Sequence, residues 1–264
     1  MLGHRLCAGI DATAGLTLAA WLCVSAQPPG SASPRNAGVF PASEALDYTV
    51  EWRLITAGKA RLKWNADAPR PGWRVTLHLE STGLVSKLYK VNDDYAATLT
   101  PDLCAQDAHT NAHEGSRQRE ALVHYDAERR KASYLERDLV KGNVALTKEI
   151  DIPACVHDVV GGLYLLRTLS LEPGRSLEVP VSDGKKSVTA KVEAQGREEV
   201  KVPAGTYKTV RYEAHLFDDV LYRRPGRLYV WLTDDRRKLP VRVQVHLRFT
   251  IGTIAFQLEK EEKT

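Results

Sequence analysis

Long apolar runs are missing from this chain. The longest is the nine-residue segment Leu16–Val24, well short of the roughly 20 apolar residues that a membrane-spanning helix needs. The sequence also has no Gly-x-Ser-x-Gly elbow, no Gly-rich phosphate-binding loop and no His-Glu-x-x-His. The formal net charge of +4 is too small for the basic surface of a nucleic-acid-binding protein. We therefore expect no catalytic residues, no metal, no cofactor and no nucleic-acid partner.

The short apolar run lies where an export signal would place it. His4 and Arg5 precede it, and residues 24–26 (VSA) are the small residues after which a signal peptidase cuts. We expect residues 1–26 to be a cleaved signal peptide, which makes the mature protein periplasmic and leaves no transmembrane segment. A lipid-modified Cys23 and a retained anchor are the alternatives.

The rest of the chain divides by composition. Residues 27–43 are rich in Pro, Ser, Gly and Ala and are predicted to form a flexible leader. The remaining stretch of about 220 residues is long enough for one domain with its own core. We predict a single β domain over residues 44–260.

Cysteine is scarce, with four in the whole chain. Cys7 and Cys23 lie in the predicted signal peptide, so the mature protein keeps Cys104 and Cys155. An even pair in an oxidising compartment favours a disulfide, and closing a loop of about 50 residues stabilises by roughly 4 kcal/mol. Two free buried thiols, or a metal site that includes His157, are the alternatives.

Apolar and polar residues alternate with a period of two through most of the chain. In the first such segment Tyr48, Val50 and Trp52 share one face, and Asp183-Gly184 is a strong hairpin signal further on. About twelve half-buried strands must curl round a common interior to avoid open edges. We predict a mainly β fold: a large curved antiparallel sheet forming a closed or partly closed barrel, with one main helix packed at its mouth or gap. A two-sheet sandwich is the alternative.

One segment departs from this alternation. Apolar residues recur at helical spacing over 159–169, Asp158 stands at the N-cap position, and Pro173-Gly174 ends the segment. We predict the main helix here and a second short helix or turn at 83–89. Residues 102–116 are predicted to form a loop.

Candidate binding residues are mostly aromatic. Rings on the strands could line an apolar cavity beside the helix, or they could fill a core. Arg167, on the helix, could bind a ligand head group, although an ion pair with a residue such as Asp235 is the favoured interpretation. The candidate ligand-binding residues are Trp52, Trp64, Trp231, Leu163 and Arg167.

Other polar clusters give weaker signals. His109 and His113 have the i, i+4 spacing of metal ligands on a helix, but their segment has weak helical character, so we expect solvated histidines. Neighbouring carboxylates such as Asp93-Asp94 would point to opposite faces of a strand and could not act together.

Four segments resemble an exported bacterial family without an assigned activity, designated domain of unknown function 3108. The segments, in the family's order, are Ala45–Ala60, Cys155–Arg167 (CVHDVVGGLYLLR), Val202–Tyr207 (VPAGTY) and Val230–Val241 (VWLTDDRRKLPV). The closing Trp strand, Asp turn and Leu-Pro-Val strand also look like the unclosed barrels of periplasmic lipoprotein carriers. That second likeness concerns the fold pattern only.

Three functions remain open at this stage. The first is a non-enzymatic periplasmic binder of an apolar or amphiphilic ligand, such as a lipid. The second is a structural or interaction protein of the cell envelope, with a filled core and a protein partner. The third is a hydrolase that uses a pair of carboxylates within one cleft.

Overall fold

The computed structural model describes residues 40–66, 71–248 and 252–263. The predicted signal peptide and most of the predicted leader lie outside these residues. The described chain contains two helices, α1 (Gly83–Leu88) and α2 (Val159–Thr168), and neither has the length and hydrophobicity of a membrane-crossing helix. Its strands are β1 (Ser43–Trp52), β2 (Ile55–Ala66), β3 (Trp73–Ser81), β4 (Val91–Leu99), β5 (Ala105–Glu114), β6 (Arg117–Asp126), β7 (Lys131–Asp138), β8 (Asn143–Asp151), β9 (Ser176–Ser182), β10 (Ser187–Val202), β11 (Gly205–Ala214), β12 (Gly226–Thr233), β13 (Pro240–Leu247) and β14 (Gly252–Lys263).

All fourteen strands belong to one antiparallel sheet. Their order is β8-β7-β6-β5-β4-β3-β2-β1-β14-β13-β12-β11-β10-β9, so the first and last strands of the chain pair in the middle. The two edges, β8 and β9, are consecutive in sequence and are joined by the segment that carries α2. Because β8 and β9 do not pair with each other, the barrel is only partly closed. This confirms the predicted mainly β fold with the main helix at the gap.

The chain before α2 covers part of the gap. His157 forms a parallel bridge to Val181 of β9, with its N–H 3.0 Å from the Pro180 carbonyl oxygen. On the other side of this segment, the Ala105 N–H donates to the Val156 carbonyl at 2.8 Å. The segment therefore joins the edge strand β9 to β5 across the interior.

The β9–β10 turn reaches the far side of the sheet. Gly184, at φ +83°, has the left-handed backbone that the predicted hairpin turn requires, and a Cβ there would lie 2.6 Å from the Val123 side chain. The Tyr125 hydroxyl donates to the Ser182 carbonyl at 3.2 Å, and Lys148 of β8 donates to the Lys185 carbonyl at 2.7 Å. These contacts hold the two edges of the sheet close to each other.

Period-two alternation places the core on the inner face. In β1, Leu46, Tyr48 and Val50 are buried, and each such side chain contributes about 1.5–3 kcal/mol by leaving water. The buried residues form two clusters, one that runs under β1–β7 and on to β13 and β14, with a few residues of β10 and β12, and one under β9–β12. Helix α2 contributes Tyr164 to the first cluster and Leu166 to the second. The helix therefore joins the two halves of the core.

The predicted loop over 102–116 is wrong, because Ala105–Glu114 forms strand β5. Ala108 and Ala112 are buried on its inner face, while His109 between them is exposed and His113 is partly exposed. Ala, Asn and Asp have low strand propensity, so the local sequence does not predict this strand. Pairing with β4 and β6 on both sides decides its conformation.

Cys104 and Cys155 form the predicted disulfide, with Cα atoms 5.0 Å apart. The bond ties the β4–β5 turn to the segment that precedes α2. His157 lies next to it: its Nδ1 is 2.7 Å from the Leu103 carbonyl oxygen. Burial lowers the pKa of His157, against the opposing effect of this hydrogen bond.

Candidate functional site

A cleft of about 420 Å³ lies between the inner face of β3–β7 and the start of α2. The β9–β10 turn and the β11–β12 loop complete its walls. One part of the lining is apolar, and its members are Leu77, Leu79, Ala108, Ala121, Val123, Val159 and Val160. The volume is in the range of pockets that hold small organic ligands.

Asp158 lies where the helix meets the cleft. Its Oδ1 accepts hydrogen bonds from the N–H groups of Val160 and Gly161, at 3.0 and 2.9 Å, which caps α2 as predicted. The same oxygen accepts the Tyr95 hydroxyl at 2.6 Å. Its other oxygen, Oδ2, is buried and has no hydrogen-bond partner among the described residues. Leaving a buried acceptor without a partner costs free energy.

Four tyrosines give the cleft its polar surface. They are Tyr95, Tyr125, Tyr134 and Tyr222. Burial raises the pKa of the first three well above the ordinary value, and it raises the pKa of Tyr222 to about 12. The rings are therefore neutral near pH 7, with apolar faces and hydroxyl groups that can donate or accept hydrogen bonds.

Two cations border the same space. The Lys185 ammonium lies 5.1 Å from the centre of the Tyr134 ring, a cation–π distance. Arg119 is 3.5 Å from a Glu114 carboxylate oxygen, and its buried Nε has no hydrogen-bond partner among the described residues. The cleft thus combines an apolar wall with donors, acceptors and positive charge.

The space on the other side of α2 is nearly filled. Between the helix and β9–β12 only about 60 Å³ remains, lined by apolar side chains that include Leu163 and Leu166. This volume is far below the several hundred cubic ångströms of a ligand site. Packing under the C-terminal strands is therefore that of a core.

The five predicted ligand-binding residues do not form one site. Trp64 is fully buried and stacks on Tyr164 and Trp73, with ring centres 4.2 and 4.5 Å apart. The Trp231 indole N–H donates to Glu198 on the sheet face that also carries Arg242. Trp52 ends β1 opposite Ile254. None of these rings lines the 420 Å³ cleft, whose aromatic residues are all tyrosines.

Arg167 pairs with Glu44, so the predicted pairing with Asp235 is wrong. Its Nη1 and Nη2 lie 2.6 and 2.9 Å from the two Glu44 carboxylate oxygens. Asp235 instead accepts hydrogen bonds from the Arg237 and Lys238 N–H groups in the β12–β13 turn. The helix and the first strand place Arg167 and Glu44 together, a long-range relationship that local sequence does not reveal.

The neighbouring polar residues singled out in the sequence lie on opposite faces of the sheet or face outward. Asp94 lies 2.8 Å from His78 on the outer face, while Asp93 lines the cleft and accepts the His113 N–H at 2.9 Å. Burial raises the pKa of Asp93. His109 faces outward, 3.1 Å from Glu120. Within the described residues, no group of three or more His, Cys, Asp or Glu side chains is placed to hold a metal ion.

Sequence reasoning missed the tyrosines of the cleft. The signal was present: Ala121, Val123 and Tyr125 alternate along β6, and Ala132 and Tyr134 alternate along β7. All five are buried on the inner face. The same alternation that placed the tryptophans would have placed these rings.

A family model described as "Protein of unknown function (DUF3108)" matches residues 47–259, most of the chain and nearly the whole sheet. The chain belongs to this family. The match confirms the resemblance found in the sequence. Because the family has no assigned activity, membership does not tell what this DUF3108 protein does. A comparison with curated proteins gave no match.

Solved structures were compared with the DUF3108 protein. A β-barrel-like protein of the DUF1849 family from Brucella abortus superposes with a TM-score of 0.54 at 10% identity, covering 84% of this chain and 97% of that one. A candidate exported protein with a YmcC-like fold from Bacteroides fragilis gives 0.35 at 10% identity, covering 85% and 97%. A candidate lipoprotein from Parabacteroides distasonis gives 0.32 at 10% identity, covering 85% and 98%. At these identities the likeness to the Brucella protein concerns the fold alone.

Proposed function

We propose that this protein is a non-enzymatic binder of an amphiphilic, lipid-like ligand in the periplasm. The observation that carries the proposal is the 420 Å³ cleft, which joins an apolar wall to neutral tyrosines and cations. An apolar chain or ring would lie against Leu77, Leu79 and Val123. Burying it there gains about 25 cal/mol for each Å² removed from water.

The polar head of the ligand has matching groups at the same place. A hydroxyl or amide of the head group would exchange hydrogen bonds with the tyrosine hydroxyls that line the cleft. An acceptor on the head group would meet the Lys185 ammonium or the Arg119 guanidinium, which also line it. The carboxylates that line the cleft already have structural partners: Asp158 caps α2, and Asp183 accepts the Lys185 and Lys186 N–H groups. Asp93 accepts the His113 N–H, and Asp94 contacts His78 on the outer face. This division of roles favours binding over hydrolysis.

Native mass spectrometry of protein purified from a periplasmic extract tests the proposal. We expect a co-purifying species with the mass of a lipid or another amphiphile. Thr110→Phe puts a ring into the cleft from β5 and should abolish that species. Thr76→Phe is the matched control, because Thr76 faces outward on β3, between the inner-face residues Val75 and Leu77.

The two variants separate a cleft ligand from surface contamination. Retention of the bound species by Thr110→Phe, or its loss from both variants alike, would contradict the proposal. An empty wild-type protein that also fails to take up added monomeric lysophospholipid would contradict it as well. Circular dichroism of each variant checks that the sheet is intact.

The second candidate is a structural or interaction protein of the envelope. The filled space between α2 and β9–β12 favours it, since that half of the molecule is a packed core. This function requires a protein partner and no occupant in the cleft. Cross-linking in the periplasm, combined with an empty wild-type protein in the mass spectrometer, would favour it.

A further inference from the structure

Exposed apolar side chains gather at one end of the sheet. Leu54, in the β1–β2 turn, is 93% exposed, and Leu88, at the end of α1, is 74% exposed. Leu84 and Tyr89 stand beside Leu88, and Val140 lies in the β7–β8 turn; all three are more than half exposed. Large exposed apolar residues are costly in water, and a group of them marks a contact surface.

These side chains lie on neighbouring turns. The registers of β1–β2, β2–β3, β4–β5 and β6–β7 bring the β1–β2 turn, α1, the β5–β6 turn and the β7–β8 turn to the same end. Backbone hydrogen bonds connect these turns to neighbouring strands and turns. The Thr82 N–H donates to the Ala57 carbonyl, the Gly115 N–H to the Lys90 carbonyl, and the Leu139 N–H to the Gln118 carbonyl. We call this row of turns the apolar rim, formed by residues 53–55, 82–90, 115–116 and 139–142.

Positive charge accompanies the apolar residues. Lys87 and Lys90 flank Leu88, and neither forms a salt bridge among the described residues. Lys141, next to Val140, is 75% exposed and only 3.7 Å from Asp138. Segments that lie in the interface of a bilayer with anionic head groups have a similar composition, in which apolar and aromatic residues alternate with lysines.

The shape of the rim favours lipid over a protein partner. Its apolar residues project from separate turns and from the end of α1. A fluid bilayer can accommodate separate projecting side chains, and the anionic head groups complement the lysines. The cleft also takes lining residues from this end, among them Leu79 at the end of β3 and Asp93 at the start of β4.

We propose that the apolar rim docks the protein on an anionic lipid bilayer, with Leu54, Leu84 and Leu88 entering the interface and Lys87 and Lys90 contacting the head groups. The docking goes beyond ligand binding in the cleft, since a protein with an empty cleft can still dock. It places the ligand-binding cleft next to the surface that would supply or receive a lipid.

Co-sedimentation with vesicles tests the docking. The vesicles contain phosphatidylethanolamine and phosphatidylglycerol, and a second set contains phosphatidylcholine alone. We expect binding to the first set that falls about tenfold or more in the Leu84→Ser/Leu88→Ser variant, because two apolar anchors are lost. Lys87→Gln/Lys90→Gln should weaken binding by a similar factor and remove most of its dependence on salt.

Leu122→Ser is the matched control, because Leu122 is an exposed leucine on the outer face of β6, away from the rim. It should bind vesicles like the wild type. Equal binding by the rim variants and the wild type, or no wild-type binding to anionic vesicles, would overturn the proposal. Native mass spectrometry of the rim variants separates docking from ligand binding in the cleft. If these variants lose vesicle binding but keep the cleft ligand, the rim acts in docking and not in ligand binding.

Discussion

Glu44 and Arg167, 123 residues apart in the sequence, form a two-pronged ion pair in which the side chains are 3% and 1% exposed. Glu44 lies at the start of β1 and Arg167 in the last turn of α2. The rings of Phe40 and Tyr164 lie 5.0 and 5.1 Å from the guanidinium carbon and exclude water from the pair. The ion pair is therefore the polar link between the helix at the gap and the strand at the centre of the sheet.

Breaking this pair should destabilise the protein strongly. Glu44→Leu leaves a buried guanidinium without its counter-charge, and Arg167→Met leaves a buried carboxylate, so each should lower the free energy of unfolding by about 3–5 kcal/mol. The double variant Glu44→Leu/Arg167→Met should lose less than the sum of the two, because no unpaired charge remains. Urea unfolding of all four proteins gives the coupling energy. Additive losses would contradict the interpretation.

The two adjacent glycines of α2 should respond in opposite directions to alanine. A Cβ at Gly161 would lie 2.5 Å from Asp158 Oδ2 and 3.1 Å from the Leu99 side chain. Gly161→Ala should therefore disturb the N-cap and lower the free energy of unfolding by about 1–3 kcal/mol. Nothing lies within 4 Å of a Cβ at Gly162, so Gly162→Ala should raise it by up to about 1 kcal/mol. Thermal and urea unfolding measure both, and equal effects would refute the packing argument.

Removal of the disulfide should lower the free energy of unfolding, because the unfolded chain gains conformational entropy when the loop is opened. Cys104 and Cys155 are 51 residues apart, and opening a loop of this size lowers the free energy of unfolding by roughly 4 kcal/mol. The Cys104→Ser/Cys155→Ser variant and the reduced wild type should have similar unfolding midpoints in urea. A variant as stable as the oxidised wild type would contradict this stabilisation.

His157 should make stability depend on pH in acid. Because burial lowers its pKa in the folded protein, the unfolded chain binds a proton between that lowered pKa and about 6.5 while the folded chain does not. The free energy of unfolding should therefore fall as the pH drops through this window, with a slope from this group of at most about 1.4 kcal/mol per pH unit.

His157→Asn tests that slope, because its amide N–H can replace the Nδ1 donor to the Leu103 carbonyl without titrating. Urea unfolding between about pH 5 and pH 8 should show a shallower decline for the variant than for the wild type. Identical slopes would assign the acid sensitivity to other groups.

Local chemistry was enough to predict much of the fold. Alternation along β1 and β3, the Asp183-Gly184 turn, the Asp158 cap and the short helix α1 all follow from neighbouring residues. Strand β5 could not be found in this way, because its alanines and polar residues have no local preference for a strand. The alternation of apolar and polar residues could also have placed the cleft tyrosines on the inner face. Only the strand order shows that these tyrosines, and not the tryptophans, line the cleft.

The sequence by itself determined the class of this protein: a mainly β domain with one main helix, a cysteine pair that favours a disulfide, and membership of the DUF3108 family. These features depend on periodicity, turn chemistry and cysteine number, which are properties of short segments. Only the tertiary structure decided that Arg167 meets Glu44, that one side of α2 is filled, and that the other side keeps a cleft beside an apolar rim. Contacts between residues far apart in the chain depend on strand order and register, and those are set by the packing of the whole sheet.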